Sequence, residues 1–151
     1  MPTAASRTYS PANDLVAGEW AHWGVIYNGG GATLPDKVKI LKNGLNRTVS
    51  TLGVTPATFP AIGGTNLTVA TDGAFVANIR VAHLRIWSAE LTVAQMTQES
   101  QSFRPVRTNN LLLWSPYDDA TRARDYSGRG NNGTVTGTTA QIQGPPVSYG
   151  G

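Results

Sequence analysis

The stretch EWAHWGVIYNG, Glu19 to Gly29, decides how the rest of the chain is read. It alternates two faces, Trp23/Val25/Tyr27 and Trp20/His22/Ile26, and both are largely apolar. That is the pattern of a strand buried on both sides.

DKVKILKNGLNRTV sets Val38 and Ile40 against Lys37, Lys39 and then Leu41. Asn43-Gly44 supplies the positive φ angles of a type I′ turn, so a hairpin is expected with its lysines on the solvent face. Pro56 and Pro60 bar a central strand in TLGVTPATFPAIGGTNLTVAT, while Leu67 to Ala70 allow a short one. AFVANIRVAHLRIWS reads as a long, central strand with a bulge or slip, because Ile79, Val81 and His83 share one face and Leu84, Ile86 and Ser88 the other. A helix of about Val93 to Ser102 follows: Thr92 and Gln95 form a T-x-x-Q capping box, and Leu91 and Met96 stand at hydrophobic-staple spacing. FRPVRTNNLLLWSPYDD returns to strand, and NNGTVTGTTAQIQ gives another after a tight Gly-rich loop at Ser127 to Gly133.

The 151 residues suit one domain, and 14% charged residues with 17 Gly and 9 Pro favour an all-β protein. Residues 1 to 18 read as an extended arm that only a neighbour would order, and GPPVSYGG as an irregular tail. The absence of cysteine removes disulfides, thiolate nucleophiles and Cys-based zinc sites. The first residues lack the apolar stretch of a signal peptide, and no segment has the roughly 18 apolar residues of a membrane span. A net charge of +3, with the arginines around Arg104 to Arg129 interrupted by Asp118, Asp119 and Asp125, speaks against a nucleic-acid partner.

Three blocks, EWAHWGVIYNG, VKILKNG and FVANIRVAHLRIWSAELTVAQM, resemble in order the second half of a laminin G-like, concanavalin A-like jelly-roll domain. That family carries a W-x-H strand ending in Tyr-[DN]-Gly, a hairpin with Asn-Gly, and an A-H-V-R-I-W strand leading into a short helix. LLLWSPYDD and ARDYSGRGNNGTVTG resemble the family's opening segment, although here they stand near the end, and the strands that normally precede the W-x-H block are missing. The resemblance implies a two-sheet antiparallel jelly-roll sandwich over residues 19 to 143, with one short helix, an N-terminal arm (1 to 18) and a C-terminal tail (144 to 151). It also implies a bacterial or phage setting, in a virion or at a cell surface. The displaced segment either closes this sandwich or completes a neighbour's, and where Leu111 to Trp114 pair decides between the two.

Catalysis is not expected. Glycosidase chemistry needs two carboxylates facing across about 5 to 10 Å. The nine acids, Asp14, Glu19, Asp36, Asp72, Glu90, Glu99, Asp118, Asp119 and Asp125, form no such strand motif. His22 and His83 lie in apolar strands, where a structural role is expected. Calcium is the candidate cofactor, because DYSGRGNNG offers Asp125, Asn131 and Asn132 within one turn, and many laminin G-like domains bind calcium at a sandwich rim. The four tryptophans sit in expected strands and read as core, leaving Tyr117, Tyr126, Asn109 and Asn110 as the loop residues for a ligand. The expected function is a non-catalytic binding module for a glycan or host surface. The alternative is a virion accessory protein, of the capsid-decoration or tail-associated kind, that assembles through its arms with copies of itself or other virion proteins.

Overall fold

The computed structural model describes residues 7–9, 14–52, 67, 69, 79–118, 122–135 and 144–145. Of the strand expected over 67 to 70 only Leu67 and Val69 are described, both exposed and neither in a strand, while Asp119 and most of the two arms lie outside these residues. Nine strands and two helices are described, the strands paired into small antiparallel sheets, so the chain is β-rich with little helix. Among the described residues no helix is long and apolar enough to cross a membrane. The chain divides into two compact units, Met1–Phe59 with Trp87–Asn110, and Pro60–Ile86 with Leu111–Gly151.

In the first unit β1 (Arg7–Tyr9) pairs with β5 (Ser50–Leu52), and β2 (Trp23–Tyr27), β3 (Val38–Lys42) and β4 (Leu45–Arg47) form an antiparallel sheet in that order. Two helices, α1 (Leu34–Lys37) and α2 (Val93–Ser100), complete it. The hairpin between β3 and β4 turns at Asn43 (φ 51°) and Gly44 (φ 79°), the two left-handed residues that a type I′ turn requires. At α2 both halves of the capping box close: Gln95 N donates to Thr92 Oγ1 (3.2 Å) and Thr92 N to Gln95 Oε1 (2.9 Å). Leu91 and Met96 are both buried and meet in the core with Ile26 and Leu41. The four-residue α1 is not foreseen by the sequence reading; Pro35 in its first turn and the Asp36 carboxylate, which takes both the Thr33 amide and hydroxyl, start it.

The structure departs from three expectations. First, β2 is not buried on both sides: Gly24 and Ile26 are buried, but Val25 on the opposite face is 65% exposed. Second, the apolar and solvent faces of β3 are not divided as its lysines suggest. Leu41, which shares a face with Lys39, is fully buried at 0% exposure, because that face lies under α2. The close approach depends on Gly24, directly across from Leu41: a Cβ there would stand 2.7 Å from Met96 Cγ. Third, the N-terminal arm is ordered by its own chain at the places described. β1 pairs with β5, and the buried Asp14 carboxylate is paired with Arg47, while Asp14 O accepts a hydrogen bond from Lys42 Nζ (2.7 Å).

β6 (Leu84–Trp87), which belongs to the second unit up to Ile86, pairs with β7 (Leu111–Ser115), and within that unit β8 (Arg122–Ala123) pairs with β9 (Gly133–Thr134). The start of β6 is tied to the end of β7 by His83 N donating to Pro116 O (3.5 Å). The segment Leu111 to Trp114 therefore pairs beside Leu84 to Trp87 of the same chain. Of the long strand expected over 74 to 88, residues 74–78 lie outside the described residues, and from Ile79 on the strand is regular only over Leu84–Trp87. His83 takes a left-handed φ of 58° at the point where the apolar pattern changes face, and Ile79 and Val81 before it are exposed.

Candidate functional site

β7 runs from the buried Leu111 to the buried Ser115 and hands the chain to a loop at Pro116 to Asp118. The loop after β8 folds back onto it: Tyr126 N donates to Trp114 O (2.8 Å), and Ser127 Oγ and Asn131 Nδ2 both donate to Leu112 O (3.0 and 2.8 Å).

Asp125 is the hub of that loop. Its Oδ1 accepts from Trp114 N (3.1 Å) and Ser127 N (2.8 Å), and its Oδ2 accepts from Ser127 Oγ (2.9 Å) and Asn131 N (2.9 Å). Its own amide donates to Asn132 Oδ1 (2.9 Å). Burial alone would raise the carboxyl, but the bonds from Ser127, Trp114 and Asn131 outweigh it and hold the group below the ordinary carboxylate range. Gly128 (φ 84°) and Gly130 (φ 77°) supply the left-handed turns that bring Asn131 back to Asp125.

The structure thus brings together the three residues considered for calcium, Asp125, Asn131 and Asn132, and gives them to one another and to β7. A cation would have to displace four donors from Asp125. No group of three or more His, Asp or Glu side chains suited to a metal occurs among the described residues.

Tyr126 follows directly and leaves the hub as an exposed ring. It is 46% exposed, and its ring centroid lies 5.8 Å from that of Trp114 at a tilt of 54°. Its hydroxyl donates to Asp118 Oδ2 (2.8 Å), and Arg124 lies within hydrogen-bonding reach of the same hydroxyl. The bond to Asp118, then burial and the Asp118 charge, raise the phenol above its usual value despite Arg124. A hydrophobic ring face is thereby flanked by an acceptor, a hydroxyl and a guanidinium, which is the set of groups that a polyhydroxylated ligand needs.

The other expected ligand residues are placed differently. Tyr117 is half-buried with a φ of 56°, and burial raises its phenol. Asn109 and Asn110 belong to the first unit. Asn109 lines a shallow groove with Val106, Arg107 and Thr108, and Asn110 (φ 60°) is a turn residue whose carbonyl accepts Ser88 N (2.9 Å). His22 donates its backbone amide to Asn43 Oδ1 (2.8 Å), and His83 is lowered by burial and then by Arg85. Sequence reasoning left out Trp114, Asp118 and Arg124 as ligand groups. The signal for Trp114 was its place in a strand end next to loop residues rather than in mid-strand.

Compared with known protein families, curated proteins and solved structures, the chain matches none.

Proposed function

We propose that the chain is a non-catalytic recognition module with a laminin G-like jelly-roll fold, from a bacterial or phage surface assembly, and that it holds a glycan at Tyr126. The observation that carries this reading is the half-exposed Tyr126 ring, backed by Trp114 and fixed at its hydroxyl by Asp118. A sugar stacks its C–H face on such a ring while its hydroxyls meet Asp118 and Arg124. The four bonds at Asp125 favour the same reading, since a loop already held in place loses little freedom on binding. The pairing of Leu111–Ser115 within its own chain also favours a self-contained module over one completed by a neighbour.

A glycan array read with and without calcium, on the wild-type chain and on Tyr126→Ala, tests the proposal. Binding lost in the variant is expected; no binding to any glycan, or binding indifferent to Tyr126, overturns it. Loss of binding on chelation would add calcium at Asp125, Asn131 and Asn132.

The second reading, a virion accessory protein that docks on copies or neighbours, is favoured by a separate observation. Val25 (65% exposed) and Leu45 (70% exposed) lie on the face of the three-stranded sheet opposite α2. Exposed apolar side chains on one sheet face suit a surface that another subunit covers. Sedimentation of the isolated chain separates the two: a discrete oligomer supports assembly, and a monomer counts against it.

A further inference from the structure

Asn-Gly occurs three times, at Asn28-Gly29, Asn43-Gly44 and Asn132-Gly133. In this dipeptide the glycine nitrogen, with no Cβ to hinder it, can attack the asparagine side-chain carbon. Exposure would rank Asn43 and Asn132 first, since both are exposed and Asn28 is half-buried. Hydrogen bonding reverses that order.

Asn43 Oδ1 accepts His22 N (2.8 Å), which ties its side chain to the residue just before β2. Gly44 is packed in turn: its carbonyl accepts Thr97 Oγ1 (3.2 Å), and a Cβ on it would stand 2.8 Å from Thr97 Cγ2. Asn132 Oδ1 is likewise taken by Asp125 N (2.9 Å), and Gly133 is paired with Ala123 in the sheet. At Asn28 the side-chain oxygen accepts instead from Gly30 N (3.0 Å), two residues on, in an Asx turn. That bond lies within the turn itself, whereas those at Asn43 and Asn132 reach across to other segments and must break before either side chain can turn toward its glycine. The bonds that anchor the turn, Asn28 N to Lys37 O (2.7 Å) and Gly31 N to Asn28 O (3.1 Å), do not involve the Gly29 nitrogen.

We propose that Asn28 is the site at which the folded chain deamidates spontaneously, and that Asn43 and Asn132 are held back by their bonds across the chain. The Gly29 nitrogen gives its proton to solvent and bonds to Asn28 Cγ. The Cγ–Nδ2 bond then breaks, and ammonia leaves with a proton from water. A second water opens the succinimide at either carbonyl, leaving aspartate or isoaspartate at position 28; no oxidant or reductant takes part.

The test incubates the full-length chain at mildly alkaline pH, folded and in urea, and maps the three peptides by mass spectrometry. In the folded chain the Asn28 peptide is expected to convert about tenfold faster than the other two, whose reaction waits on local opening. In urea the three rates converge. Equal rates in the folded chain, a faster Asn43 or Asn132, or no conversion at Asn28 while the urea-treated chain reacts, would each overturn the proposal.

Discussion

Asp14 and Arg47 form a forked ion pair in which the acid is buried, its side chain 6% exposed, while the arginine side chain is 37% exposed. Arg47 Nε donates to Asp14 Oδ2 at 3.1 Å, and the second guanidinium arm meets Oδ1. Asp14 drives Arg47 further above its usual value, first through the hydrogen bond and then through charge. The partners are unequal: solvent can take up the arginine, but the buried carboxylate depends on it. Arg47→Ala is therefore expected to lower the urea midpoint more than Lys39→Ala, a control on the neighbouring strand β3 that leaves the ion pair intact, and to accelerate amide exchange around Asp14. Equal midpoints for the two variants would show that the pair does not hold the segment down.

The contact of Gly24 with Met96 and Leu41 sets the spacing between the sheet and α2. Leu41→Ala empties a fully buried site and should cost about 3 kcal/mol in urea unfolding. Gly24→Ala adds a Cβ 2.7 Å from Met96 Cγ and should cost about 1 to 2 kcal/mol, much of it recovered by pairing the change with Met96→Val.

Acid should loosen the loop around Asp125. A carboxyl held below its unfolded value contributes stability that is present above the unfolded pKa of about 3.9 and is lost as pH falls through the lower folded value. The amides of Trp114, Ser127 and Asn131 are accordingly expected to stay protected at neutral pH and to exchange faster below that window. In Asp125→Asn the same amides should exchange faster at neutral pH, and the acid transition should disappear.

Removing the Asp118 carboxylate should be visible in the Tyr126 phenol. Because the hydrogen bond to Asp118 is the largest influence raising that group, Asp118→Asn should let Tyr126 ionise at lower pH in an ultraviolet titration, with Trp114 fluorescence moving in step. An unchanged titration would mean that Asp118 does not hold the ring.

The parts of the fold that were legible in the sequence are those whose causes are local. Asn43-Gly44 turns the hairpin because the left-handed angles belong to those two residues, and Thr92 with Gln95 starts α2 because the box closes within four residues. Which face of β2 is covered was not legible, since Gly24 becomes a core position only when Met96, 72 positions later in the sequence, packs onto it. The same distinction runs through the site. Asp125, Asn131 and Asn132 were gathered correctly into one loop, but the donor that decides what Asp125 does, Trp114 N, lies 11 residues back on another strand. Tyr126 was recognisable as a loop aromatic, whereas its contacts with Asp118 and Arg124 depend on how the chain closes between β7 and β8.

The packing of Met96 against Gly24 has a chemical consequence as well. With no cysteine in the sequence, Met1 and Met96 carry the chain's only sulfur atoms. Met96 sits inside the core, and its sulfoxide would be polar among Ile26, Leu41 and Leu91. A peroxide in solution reaches that thioether only when α2 lifts from the sheet. The rate of Met96 oxidation therefore counts the openings of the first unit, and the molecule carries its own chemical clock for them.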